Sequence, residues 1–214
     1  MTNPLYDALF APLSGRGSTF LILPDGREIS GAAFHGLCAR VAGALAELGL
    51  QPGDRMAVQV EKSIEALALY GGAVMAGGVF LPLNTAYTPE ELRYFVTDAG
   101  ATLLLADGTK AAALATVAAD CGARLMVLNA DGTGDFAEAV SAATEMSGPA
   151  VRDEADLAAL LYTSGTTGRS KGAMLSQRNL LSNAEVLVRE WRFGPGDVLL
   201  HALPIFHTHG LFVA

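Results

Sequence analysis

The sequence predicts an α/β fold: mainly parallel sheets with helices on both faces. Three observations carry that expectation. Short apolar runs alternate with longer segments of helical apolar spacing from residue 19 to about residue 146. One of the runs, residues 54–60, reads as a buried strand, and the helix that follows it carries the Gly and Ala that close packing on a sheet needs. The chain has 214 residues, 51% of them hydrophobic, enough to bury a substantial core in one to two domains. Strand and helix in strict alternation close into a parallel sheet through right-handed crossovers.

Each element has a local reason. Residues 19–23 and 27–29 read as a hairpin around Pro24-Asp25-Gly26. Ser30 is placed as the N-cap of a helix in which Phe34, Leu37, Cys38, Val41, Leu45 and Leu48 recur at helical spacing, until Gly49 ends the run. Residues 54–60 read as a buried strand, and 64–77 as a helix whose Gly and Ala content permits close packing on a sheet. Residues 79–83 read as the next strand. Thr88-Pro89-Glu90-Glu91 combines a capping box with proline in the first turn, which predicts a helix to about Ala99. A strand over 102–106, a helix over 109–120, a strand over 124–128 and a helix over 136–146 follow, the last behind Gly132-Thr133-Gly134. Residues 147–156 are the clearest internal linker: Ser147-Gly148-Pro149-Ala150, then the acidic Asp153-Glu154-Ala155-Asp156. There is no internal repeat or low-complexity tract.

Composition excludes several classes. A net charge of -8 argues against nucleic acid or an anionic membrane surface as a general partner. No apolar run approaches the roughly 20 residues of a spanning helix, so membrane insertion is not expected. The first residues show no basic stretch followed by an apolar core, and a cytoplasmic location is expected. Cys38 and Cys121 sit in apolar, helix-like surroundings and read as buried reduced thiols.

The chemistry concentrates in Leu161-Tyr162-Thr163-Ser164-Gly165-Thr166-Thr167-Gly168-Arg169-Ser170-Lys171-Gly172. Glycines at 165, 168 and 172 leave backbone N–H groups open to an anion, the hydroxyls of Thr163, Ser164, Thr166 and Thr167 add donors, and Lys171 adds a positive charge. This reads as a phosphate-binding loop. The alternative is a solvated turn rich in small polar residues. A Walker A loop does not fit: Ser170 precedes Lys171, Gly172 follows it where a magnesium-binding hydroxyl belongs, and Ala173-Met174-Leu175 continues as an apolar segment before a helix starts near Ser176. The loop is therefore expected to join two strands.

Residues 162–172 closely resemble the signature loop of the adenylate-forming superfamily, commonly written [YF]-T-S-G-[ST]-T-G-x-P-K-G. That superfamily comprises acyl- and aryl-CoA synthetases, peptide-synthetase adenylation domains and luciferases. One departure is Ser170, where proline is usual. A second stretch, Leu203-Pro204-Ile205-Phe206-His207-Thr208-His209-Gly210, behind an expected strand over 198–203, resembles the family's next core motif. In residues 206–214, taken with Arg169, the finer resemblance is to malonyl-CoA synthetases.

The resemblance implies an enzyme that uses ATP with Mg2+, a carboxylic acid (malonate favoured) and coenzyme A, forming an acyl-adenylate and then a thioester. It implies that Thr163, Ser164, Gly165, Thr166, Thr167, Gly168 and Lys171 bind the nucleotide, that Lys171 and His207 are catalytic, and that Arg169 and His207 meet the acid. The alternative readings are a solvent-facing charge for Arg169 and core histidines for His207 and His209. No metal ligand set is read, because no Cys, Asp or Glu stands near the two histidines to complete one. The resemblance implies that residues 1–214 are an incomplete large amino-terminal domain without the carboxy-terminal domain, inactive alone. The alternatives are a non-catalytic nucleotide-binding fragment and a synthetase for a different carboxylic acid.

Overall fold

A computed structural model of the chain describes residues 3–163 and 170–213. Helix α1 (Pro4–Leu9) leads to the hairpin β1 (Thr19–Ile22) and β2 (Glu28–Ser30), which pair antiparallel. Then come α2 (Gly31–Glu47), β3 (Arg55–Gln59), α3 (Ile64–Ala76), β4 (Val79–Pro82), α4 (Pro89–Ala99), β5 (Ala101–Ala106), α5 (Gly108–Cys121), β6 (Arg124–Val127) and α6 (Asp135–Ala142). Then follow β7 (Leu157–Thr163), β8 (Lys171–Ser176), α7 (Gln177–Trp191) and a π-helical turn over His209–Val213. A six-stranded sheet has the order β6-β5-β3-β4-β7-β8, parallel throughout except for the antiparallel pair β7–β8. The expected α/β class is the observed one.

Side-chain alternation in the strands builds a core on each face. Met56 and Val58 of β3, with Leu103 and Leu105 of β5, join Phe34, Leu45, Leu69, Met75 and Phe136 of α2, α3 and α6. Ala57 and Leu104 point the other way, to Leu92, Phe95 and Leu114 of α4 and α5. The caps follow the sequence. The Ser30 side chain accepts from the Ala33 N–H, and Thr88 and Glu91 complete the capping box of α4. Gly77, Gly100 and Gly122 end α3, α4 and α5 with positive φ.

The linker over 147–156 does not divide the fold. The Ala150 N–H donates to the Met75 carbonyl at 2.8 Å, and the buried Asn3 amide donates to the carbonyls of Val74 and Ala150. Beyond it, β7 pairs with β4 through Phe80 and Ala159 in the same sheet.

Three expectations need correction. Helix α6 stops at Ala142, short of residue 146, because the following residues are used in tertiary contacts. Ala143 turns extended, the Met146 N–H donates to the Ala39 carbonyl at 3.0 Å, and the Thr144 carbonyl packs so close to Gly43 that a Cβ there would lie 1.9 Å from it. Residues 198–203 form no strand: Val198 is 83% and Leu200 91% exposed, with no strand beside them among the described residues. Cys38 is fully buried, which pushes its thiol up to about 12, but Cys121 is half-buried, with Sγ 3.2 Å from the Thr97 hydroxyl; both are free. No helix among the described residues is long and apolar enough to cross a membrane.

Candidate active site

In a parallel sheet, ligands bind outside the carboxyl ends of the strands, where loops and helix amino termini gather. A cleft of about 370 Å³ lies there, at the ends of β4 and β7. Pro82, Leu83, Asn84 and Tyr87 form one wall, Leu161, Tyr162 and Thr163 a second, and Phe206, His207 and Thr208 a third.

The first wall is set by Gln59, the last residue of β3. Fully buried, its Nε2 donates to the carbonyls of Asn84 (2.9 Å) and Tyr87 (3.0 Å). The Asn84 side chain accepts from the Ala86 N–H at 2.9 Å, and Lys110 donates to the Thr85 carbonyl. A short turn that would otherwise move with solvent is thereby tied to the sheet and to α5.

The second wall is the end of β7. Leu160 and Leu161 are buried, and exposure rises through Tyr162 to Thr163 as the strand leaves the sheet. Thr163 and Lys171 are paired across the β7–β8 ladder, so the loop joins two antiparallel strands, as the sequence predicts and as a Walker loop does not. The Tyr162 hydroxyl donates to the Asp98 carboxylate at 2.6 Å. Burial, then that hydrogen bond and the adjacent negative charge, raise its ionisation well above the ordinary phenol range, so it stays a neutral donor.

The third wall crosses the strand ends. Ile205 is its buried anchor. The Lys62 ammonium donates to the carbonyls of His201 (2.5 Å) and Leu203 (3.2 Å), His201 Nε2 lies 2.7 Å from the Gly210 carbonyl oxygen, and the Asn183 amide donates to the Phe212 carbonyl. The chain folds tightly enough that a Cβ on Gly210 would meet the Pro204 carbonyl at 2.0 Å. The His207 carbonyl accepts from the N–H groups of Gly210 and Leu211, both at 3.1 Å, which leaves its ring at the cleft beside Phe206. His207 and His209 are both exposed, so neither is a core histidine.

Thr163 and His207 therefore line one cleft, and Lys171 stands across the ladder from Thr163, exposed and outside the cleft wall. Ser164, Gly165, Thr166, Thr167, Gly168 and Arg169 lie outside the described residues. Gln59, Lys62 and Asp98 were not singled out by the sequence. The one available signal was a polar residue, Gln59, following the apolar Met56, Ala57 and Val58 at the end of β3.

Against known proteins, residues 14–214 match the family described as AMP-binding enzyme. The chain belongs to the AMP-binding enzyme family. Among its relatives, the oxalate–CoA ligase of Arabidopsis thaliana is 31% identical over 86% of this chain and 37% of its own length. The malonate–CoA ligase of the same plant is 32% identical over 78% of this chain and 28% of its own. The crystal structure of ATP-bound MatB from Rhodopseudomonas palustris superposes with a TM-score of 0.94 and 51% identity, over 100% of this chain and 42% of that one. The chain thus spans less than half the length of these relatives. Both named sequence relatives are CoA ligases.

Proposed function

We propose that the protein carrying these residues is an AMP-forming acyl-CoA synthetase, with malonate as the favoured acid. The observation that carries the reading is the meeting of Thr163 and His207, from two separate motifs, in one cleft at the strand ends. The similarity to an ATP-bound structure supports the nucleotide, and the malonate–CoA ligase supports the acid.

In this reading the acid's carboxylate oxygen attacks the α-phosphorus of ATP, the bond to the β-phosphate bridging oxygen breaks, and pyrophosphate leaves. The coenzyme A thiol, giving up its proton, then attacks the acyl carbon, and AMP leaves. Residues 163–168 and Lys171 are assigned to the leaving pyrophosphate, where fixed donors stabilise charge as it develops. Mg2+ enters with the ATP phosphates. His207 is assigned to the carboxylate side, orienting the attacking oxygen without transferring a proton. Arg169 is assigned to the second carboxylate of malonate, which a guanidinium can bind bidentately. We place the reaction in the cytoplasm. Residues 1–214, taken alone as part of a larger amino-terminal domain, are proposed to hold nucleotide without making thioester.

Product analysis of the full-length enzyme tests this. ATP, Mg2+ and malonate should give AMP and pyrophosphate, dependent on the acid. ADP and phosphate would sink the reading, since attack at the α-phosphorus cannot produce them. A preference for another acid would change the substrate alone.

A further inference from the structure

The two described stems that flank residues 164–169, the end of β7 and the start of β8, are both tied to the same helix. On the incoming stem, Tyr162 donates its hydroxyl to Asp98 of α4 at 2.6 Å. On the outgoing stem, Tyr94 of α4 donates its hydroxyl to the Ser170 carbonyl at 2.7 Å. Tyr94 and Asp98 are four residues apart and so share a helix face. That helix is itself firmly set, by its capping box and by Leu92, Phe95 and Val96 in the core.

The rings join the two ties into one unit. Tyr162 packs on Phe95 with centroids 4.6 Å apart and meets Tyr94 edge-on at 6.0 Å. Its ladder partner is Gly172, and a Cβ there would approach the Tyr162 ring to 3.2 Å, so the ring lies over a residue without a side chain. Ser170 sits where the resembling signature carries proline. A proline restricts its own φ and narrows the unfolded chain, and a serine gives up that constraint. The Tyr94 hydroxyl bonds the carbonyl of that same residue.

We propose that Tyr94 is a positioning residue for the phosphate loop: by holding the Ser170 carbonyl it fixes the exit stem that carries Lys171, substituting for the ring constraint of a proline. The role in catalysis rests on the reading that this loop binds the phosphates of ATP. One neutral hydrogen bond and one proline constraint are of similar size, so each can replace the other. Asp98 does the same for the entry stem through Tyr162.

The test uses the full-length enzyme and the variants Tyr94→Phe, Ser170→Pro and the two combined. Phenylalanine keeps the ring packing and removes the hydroxyl alone. Limited trypsin digestion, read by mass spectrometry, should show cleavage at Lys171–Gly172 rising about fivefold in Tyr94→Phe relative to cleavage after Arg178 in α7. KM for ATP in AMP formation should rise by a similar factor. In the combined variant both should return close to the values of Ser170→Pro alone, which should itself differ little from wild type. Unchanged cleavage at Lys171 in Tyr94→Phe, equal increases at Lys171 and Arg178, or no recovery in the combined variant would each overturn the proposal. If wild type makes no AMP, the functional reading falls while the digestion still decides the stem. With wild type active and Tyr94→Phe indistinguishable from it, this proposal falls alone.

Discussion

Lys171 is exposed and sits at the last pair of the β7–β8 ladder, so its side chain contributes little to the core. Removing one preorganised donor to a developing charge costs about 10²–10³ in rate, or about 2.7–4 kcal/mol. Lys171→Ala in the full-length enzyme is therefore expected to slow acyl-adenylate formation by about that factor, with the thermal midpoint nearly unchanged. Pyrophosphate-exchange kinetics beside a melting curve check both halves, and an unaltered rate would make the lysine structural. At this scale the sequence singled out two motifs by residue type and spacing, and the fold brings one residue of each, Thr163 and His207, to the same cleft. Their supports were not legible. Gln59, Lys62 and Tyr94 act on backbone carbonyls 25 to 141 residues away, and Asp98 on a hydroxyl 64 residues away. Nothing in the sequence marks which carbonyl a side chain will find.

Among the elements, α2 and α3 show how small residues set distance. A Cβ on Gly71 would lie 2.5 Å from Cys38 Sγ and 2.8 Å from the Phe10 ring, closer than side-chain carbons come. Alanine gains about 1 kcal/mol of helix propensity over glycine, whereas overpacking a buried contact costs about 1–3 kcal/mol. Gly71→Ala is expected to lower the thermal midpoint, and Cys38→Ala to recover part of the loss by removing one of the two clashes. A midpoint that rises would show that the helices yield. Helix α4 offers a second test. The Glu91 carboxylate accepts from the Thr88 N–H first and its hydroxyl second, and these hold it below its ordinary value of 4.5. A carboxyl lowered in the fold stabilises above its unfolded value, and that contribution is lost as pH falls through the lower folded one. Glu91→Gln keeps an acceptor for Thr88 without the titration. The stability gap between wild type and Glu91→Gln should be full near neutrality and close below 4.5; a gap constant with pH would refute it. Caps and helical periods were legible here, since both are local. The end of α6 was not, because Thr144 and Met146 answer to α2 instead of to their own neighbours.

For the whole molecule, a parallel sheet covered on both faces was legible from alternation, but the order β6-β5-β3-β4-β7-β8 was not, since apolar strands of similar length carry no address. The misread strand over 198–203 has the same cause: Val198, Leu199 and Leu200 have the composition of a strand, but a strand exists through its neighbours. Left unpaired, the segment adds Val198 and Leu200, at 83% and 91% exposure, to a surface that also shows Trp191 at 54%. Val198, Leu199 and Leu200, consecutive in the chain and all exposed, form an apolar stretch, and exposed apolar surface drives association. In the 214-residue polypeptide, the double substitution Val198→Ser with Leu200→Ser is expected to reduce self-association in sedimentation and lower the binding of a hydrophobic dye. Its thermal midpoint should hold. Each of these side chains would contribute about 1.5–3 kcal/mol if buried. At about 2–4 °C per kcal/mol for a chain of this size, a packed segment would betray itself by a drop of many degrees. Such a drop, or association unchanged by the serines, would show that the apolar surface driving association lies elsewhere.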